Sequence, residues 1–137
     1  MITVTEANYE DVLSIRKDVL NLDKDIDYVR LPKDDLGIHL GVFEDGKLVS
    51  VGSIFMHEGR NLQLRRLATI KSLQKKGYAS ALMKWLLDYA VDVKLSSIWC
   101  NSRRDFAGFF KKFGFEETEV TFLKDGVHYV TVKKILQ

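Results

Sequence analysis

Hydrophobic positions along the chain switch repeatedly between a period of two and a period near 3.6, and the switches mark the elements. Residues 2–5 are a short β-prone run. Asn8 reads as an N-cap, with Glu10 and Asp11 in the first turn, where acids favour the positive end of a helix. Val12, Ile15 and Val19, with Leu13 and Leu20, recur at helical spacing and predict a helix over residues 9–20. Residues 21–35 are acidic, contain the single proline Pro32 and have poor periodicity, so they read as a loop or a short second helix. Residues 37–43 and 47–57 read as strands joined by a turn at Glu44-Asp45-Gly46-Lys47, where Asp-Gly supplies the positive φ that hairpin turns need. A second turn at Glu58-Gly59-Arg60-Asn61 leads into a third strand over residues 62–70. Its apolar positions change face after Arg65-Arg66, as a β-bulge there would require.

The second half of the pattern is simpler. Leu82, Met83, Leu86, Leu87 and Ala90 form an apolar stripe on a helix over residues 76–91. Residues 95–100, uncharged and read as an apolar run despite Ser96 and Ser97, predict a strand buried on both faces. Phe106, Phe109, Phe110 and Phe113 predict a core-packing helix over residues 104–113, stopped by Gly114. Strands over residues 115–122 and 127–135 follow, joined at Lys124-Asp125-Gly126. The order is mixed α/β (α+β), with an antiparallel meander in the middle and about four helices. It fits neither a doubly wound sheet nor a barrel.

Composition adds bounds. The chain has 137 residues with ordinary globular proportions, which suits one domain over residues 1–137. One cysteine excludes an internal disulfide, and the three histidines, at 39, 57 and 128, lack metal-ligand spacing, so no metal site is expected. No apolar run reaches membrane-spanning length and no signal-like segment opens the sequence, so the cytoplasm is the default expectation. Charge is unevenly placed: residues 1–46 balance at −6 and residues 47–137 at +8. Between Gly59 and Leu87 lie seven bases and no acid, which reads as an anion site or as a solvated charged face.

That basic stretch surrounds the segment that carries chemistry. The strand that carries Leu67-Ala68-Thr69 runs through a short loop with Lys75, Lys76 and Gly77 into the long helix, with Tyr78, Ala79 and Ser80 following the glycine. The start of a helix offers unpaired N–H groups and a partial positive charge, and small residues let a pyrophosphate reach them. Neither the Walker loop nor the dinucleotide fingerprint is present.

Gln74-Lys75-Lys76-Gly77-Tyr78-Ala79 resembles the Gln/Arg-x-x-Gly-x-Gly/Ala motif of the GNAT superfamily of acyl-CoA N-acyltransferases. About 30 residues on, Ala107-Gly108-Phe109-Phe110-Lys111-Lys112-Phe113-Gly114-Phe115 resembles the family's Ala-x-x-Phe-Tyr-x-x-x-Gly-Phe segment. The resemblance covers essentially the whole chain. It implies a largely antiparallel central sheet, splayed between the acyl-CoA-binding strand and the strand after the long helix. It implies acetyl-CoA as co-substrate, with Leu67, Ala68 and Thr69 along the pantetheine and thioester and Lys75, Lys76, Gly77, Tyr78, Ala79 and Ser80 at the pyrophosphate. It also brings Trp99, Cys100, Asn101 and Arg103 near the cofactor. Two positions depart from the pattern: Phe110 stands where many members carry a tyrosine acid, and Arg103 where many carry asparagine.

The reaction implied is direct attack of a primary amine, on a small molecule or peptide, upon the thioester. His128, on the last strand, is the candidate base, since a neutral imidazole suits that role. His57 and Glu58 rank behind it and would act through water, while His39 reads as structural. Tyr78 and Tyr129 are acid surrogates or packing aromatics, and Cys100 reads as core. Asp23, Asp25, Asp27, Asp34 and Asp35 would steer a cationic acceptor or simply solubilise a loop. Two other classes compete. One is a catalytically weak acyl-CoA-binding sensor or interaction module, which Phe110 favours. The other is a nucleic-acid binder using the basic run, against which the apolar surface of the long helix argues. A homodimer is expected only on base rate.

Overall fold

A computed structural model describes residues 1–20 and 29–136. In chain order its elements are β1 (Ile2–Glu6), α1 (Tyr9–Leu20), β2 (Ile38–Glu44), β3 (Lys47–His57), β4 (Asn61–Thr69), α2 (Tyr78–Asp92), β5 (Ser97–Arg103), α3 (Ala107–Lys111), β6 (Glu116–Lys124) and β7 (Val127–Ile135). Short 3₁₀ turns cover Asp34–Leu36, Lys71–Leu73 and Arg104–Phe106. The strands form one seven-stranded sheet in the order β1-β2-β3-β4-β5-β7-β6. Every neighbouring pair is antiparallel except β4 with β5, which run parallel.

The sheet has helices on both sides. Leu82, Met83, Leu86 and Ala90 of α2 and Ala107 and Phe110 of α3 pack on Leu40, Val42, Ile54, Leu62, Leu64, Ile98, Cys100, Val130 and Val132. Each large apolar side chain buried there contributes about 1.5–3 kcal/mol. On the other side Val12 and Ile15 of α1 pack on Val51 and Ala68. Asn8 caps α1 as its sequence position predicts: its Oδ1 accepts from the Glu10 N–H at 2.9 Å.

About four helices were expected, and the described residues hold three α-helices with three 3₁₀ turns, in rough agreement; residues 21–28 lie outside the described residues. Some boundaries differ from expectation. The helix expected over 104–113 splits into the 3₁₀ turn and a five-residue α3, and Phe106 stays 46% exposed rather than joining the core. Gly114, at φ +90°, ends it as anticipated, with the Phe115 N–H reaching back to the Phe110 carbonyl. The strand expected over 95–100 slides forward to Ser97–Arg103. Lys94 adopts φ +58° and the Leu95 N–H closes on the Ala90 carbonyl, so Leu95 finishes α2 instead of starting the strand. β7 then holds Ser102 and Arg103 by pairing them with Val130 and Tyr129.

β5 is also not buried on both faces. Ile98, Cys100 and Ser102 are buried under α2 and α3, whereas Asn101 and Arg103 on the opposite face are exposed. Asp34 does not belong to a solvated acidic cluster. It is buried, bonded to Arg16 of α1. Asp23, Asp25 and Asp27 lie outside the described residues. No helix among the described residues is long and apolar enough to cross a membrane.

Candidate active site

The β-bulge lies where the change of apolar face predicts it. Val51 pairs with Ala68 and Ser53 with Arg65, so Arg66 and Leu67 together oppose Gly52, and Arg66 takes φ +56°. The extra residue turns Leu64 and Leu67 to the same side of the sheet. They close around Gly52, where an added Cβ would lie 3.3 Å from Leu64 and 3.5 Å from Leu67.

Three residues before the bulge, β4 parts from its neighbour β5. β4 and β5 pair over only three rungs, Asn61–Ser97, Leu62–Ile98 and Gln63–Trp99. From Leu64 onward β4 has an unpaired edge facing β5, and the two strands form a V whose narrow end is the Gln63–Trp99 rung. The Ile70 N–H donates to Val49 of β3 at 3.1 Å. Backbone groups alternate in direction along a strand, so the N–H and carbonyl of Thr69 face the V. The Thr69 carbonyl accepts from the Gln74 side chain at 3.1 Å, which folds the following loop back over the strand end.

That loop stands at the wide end of the V. Lys75 and Gly77 both have positive φ, +64° and +89°, and Gly77 is the N-cap of α2 with no side-chain hydrogen bond capping the helix. The first N–H groups of this 15-residue helix therefore have no side-chain cap, and Lys75 and Lys76 just before them in the chain are exposed. Nothing lies within 4 Å of a Cβ built on Gly77, so a side chain there would fill the cradle a phosphate needs. Backbone donors, glycine and lysines are the donor set that fits a pyrophosphate.

The remaining expected residues fall on different sides of this V. Leu67 and Thr69 are half-buried along its β4 edge, and Ala68 is buried against α1. Tyr78 is buried and its hydroxyl donates to Glu44 of β2 at 3.4 Å, so it serves packing. Ala79 and Ser80 are half-buried in the first turn of α2. Asn101 accepts from the Thr131 hydroxyl at 2.6 Å on the open face. Arg103 is clamped by Asp105 at 3.1 and 3.2 Å. Phe110 is 4% exposed, edge-on to Phe106 and Phe109. Burial pushes the Cys100 thiol up to about 12, which keeps it protonated and inert. His128 is exposed on the same side of β7 as Val130, in a cleft of about 530 Å³ with Arg103, Arg104, Asp105, Gly126 and Val127.

The basic run resolves into separate jobs. Arg60 caps the end of α2, its Nε donating to the Lys94 carbonyl at 2.8 Å and its Nη2 to Val93. Lys75 and Lys76 stand exposed in the loop before α2. Sequence reasoning read His39 as structural but missed its partners: Arg16, Asp34, Tyr9, His39 and Ser53 form a hydrogen-bonded network, buried at Arg16, Asp34 and Ser53, behind β3. Its one sequence signal is Arg16, four residues after Val12 on the apolar stripe of α1.

Known proteins share both sequence and shape with this chain. Residues 31–136 match the family model described as an acetyltransferase (GNAT) domain. An uncharacterized N-acetyltransferase of Bacillus subtilis (strain 168), YitI, is 28% identical over 98% of this chain and 97% of its own length. The ribosomal-protein-S18-alanine N-acetyltransferase of Escherichia coli has the same fold, with a TM-score of 0.82 at 13% identity over 98% of this chain and 94% of that one. So does a GNAT family acetyltransferase of Elizabethkingia anophelis solved with acetyl-CoA bound, with a TM-score of 0.73 at 12% identity over 98% of each chain. With a splayed β4–β5 pair, a bulged β4 and an uncapped α2 at the opening, this chain belongs to the GNAT acetyltransferase family.

Proposed function

We propose that the protein is an N-acetyltransferase that moves an acetyl group from acetyl-CoA to a primary amine of a small molecule or peptide. The observation that carries this reading is the parting of β4 and β5 after the Gln63–Trp99 rung, with the uncapped start of α2 at the wide end. Lys75, Lys76 and the backbone of Gly77 to Ser80 would hold the pyrophosphate. The backbone edge of Leu67, Ala68 and Thr69 would line the pantetheine arm, with Asn101 and Arg103 on the facing strand. An N–H at the bulged edge of β4, fixed before the substrate arrives, would receive the negative charge that grows on the thioester oxygen. Phe110 would pack beside the arm and has no proton to give. Loss of a general acid costs about 10²–10⁴-fold where the leaving group needs one. A thiolate with a conjugate-acid pKa of ~8.5, by analogy with cysteine, leaves tolerably without it.

Calorimetric titration with acetyl-CoA, for the native chain and the Lys75→Glu/Lys76→Glu variant, tests the cofactor half. Micromolar binding lost in the variant is expected. A folded native protein that binds neither acetyl-CoA nor CoA overturns the reading. Thiol release on adding primary amines tests the catalytic half, and acetyl-CoA binding with no release across a broad amine panel would reject it.

A further inference from the structure

The two sides of the V are unequal. On one, α2 and α3 cover Leu62, Leu64, Ile98 and Cys100. On the other, α1 packs on Val51 and Ala68 of β3 and β4, while Asn101 and Arg103 of β5 are exposed and Trp99, Tyr129 and Thr131 half-buried. An acceptor therefore reaches a thioester lying in the V from this open face. His128 projects from the opposite side of β7, the side of Val130 and Val132.

Two imidazoles lie on this face of the sheet: His39, beside Tyr9 of α1 with both ring nitrogens engaged by Ser53 and the Asp34 carbonyl, and His57, whose Nε2 alone has a partner. His57 ends β3 opposite Asn61, on the side that Phe55, Gln63 and Trp99 share. Its Nε2 is 2.9 Å from Gln63 Oε1 and its ring centroid 5.4 Å from the Trp99 indole. An amide oxygen only accepts, so Nε2 carries the hydrogen and Nδ1 presents a lone pair. Gln63 is 8% exposed and forms the last paired rung before the strands part. The bulge lies three residues further along β4, about 10 Å, a span that the acceptor amine and a bridging water cover.

We infer that His57, oriented by Gln63, is the base that takes the proton from the acceptor ammonium, in place of His128. The inference rests on the acetyltransferase reading above. An ammonium proton passes through water to His57 Nδ1 and then to solvent. The freed nitrogen forms the C–N bond, the C–S bond breaks, and the second nitrogen proton goes to the departing thiolate. Amide, CoA thiol and one released proton balance the step. Among the described residues, the charged groups that sequence and strand register bring to the ring are Glu58 in the adjoining turn, Arg65 on β4 and Lys133, paired with Trp99 on β7.

Two measurements test this. Long-range ¹H–¹⁵N spectra of the imidazoles in the native chain should show His57 with hydrogen on Nε2, and the opposite tautomer would overturn the inference. Profiles of kcat/KM against pH, with any primary amine that the native enzyme acetylates, form the second arm. His57→Gln should lower kcat/KM at least 100-fold and abolish the acid limb, with acetyl-CoA binding by calorimetry unchanged. Adding Gln63→Glu to His57→Gln should restore at least tenfold of the rate, with the limb at more acidic pH. Full activity in His57→Gln, or a loss confined to His128→Gln, would reject His57 as the base. Loss of acetyl-CoA binding in the native chain would instead count against the acetyltransferase reading.

Discussion

The Arg16 guanidinium donates to the Asp34 carboxylate at 2.7 and 3.1 Å, with Arg16 fully buried and Asp34 5% exposed. The same guanidinium donates to the Ser53 hydroxyl at 2.9 Å, and Ser53 is the β3 residue that resumes pairing after the bulge. His39 bonds both Ser53 and the Asp34 carbonyl. One ion pair thus ties α1 and the approach to β2 to the strand behind the bulge.

Breaking this pair should be costly, because the remaining charge stays buried. Asp34→Ala is expected to destabilise the protein by about 3–5 kcal/mol, read from urea unfolding. The pair also sets an acid limit. Burial alone raises the Asp34 carboxyl, but the Arg16 bond, the Leu31 N–H and the Tyr9 hydroxyl outweigh it, so the group lies below its ordinary 3.8. A carboxyl lowered on folding contributes stability that is fully present above 3.8 and lost as pH falls toward the folded value. Unfolding free energy measured from pH 6 to about pH 2 should fall less steeply in Asp34→Asn than in the native chain. Equal slopes would remove Asp34 from the account.

Gly77→Ala probes the phosphate cradle. At φ +89° an L-residue pays about 1–2 kcal/mol, and the new methyl occupies the open space above the α2 N–H groups. Acetyl-CoA affinity should drop about tenfold or more, equivalent to about 1.4 kcal/mol. Unchanged affinity by calorimetry would mean that the cofactor's phosphates sit elsewhere.

Cys100 should behave as core. Its thiol is pushed up to about 12 by burial, and only the thiolate attacks a disulfide reagent. At pH 8 the folded protein should fail to react with Ellman's reagent over minutes, and the urea-unfolded chain should react at once. Rapid labelling of the native state would contradict the packing of β5 under α2.

Phe110→Tyr restores the family's tyrosine in a ring of phenylalanines. Phe106 and Phe109 stand edge-on to Phe110 at 5.8 and 5.2 Å, and Phe115 at 5.8 Å. A hydroxyl buried there without a partner costs about 1–3 kcal/mol. A lower midpoint of thermal unfolding with kcat unchanged within about threefold, or 0.65 kcal/mol, is expected. A gain in kcat well beyond that would show the hydroxyl reaching the departing sulfur.

Local chemistry determined a large part of this protein. The Asn8 cap, the Asp45-Gly46 and Asp125-Gly126 turns and the stripe from Leu82 to Ala90 act over a few residues, so their elements are readable in one dimension. The Arg66 bulge was legible for the same reason, since it shifts the phase of apolar positions within a single strand. The loop before α2 could be placed from its sequence because Gly77 interrupts the apolar pattern just before the α2 stripe begins. Partners distant in the chain were decided only by the fold. Arg16 meets Asp34, and His57 meets Gln63 and Trp99, because the sheet places them on one face. Residues 95–100 looked doubly buried because hydropathy records a residue's own preference and not which side of a strand a helix covers. Asn101 and Arg103 on the α1 face of β5 stay exposed since α1 packs on β3 and β4, a choice of neighbours that no local pattern encodes.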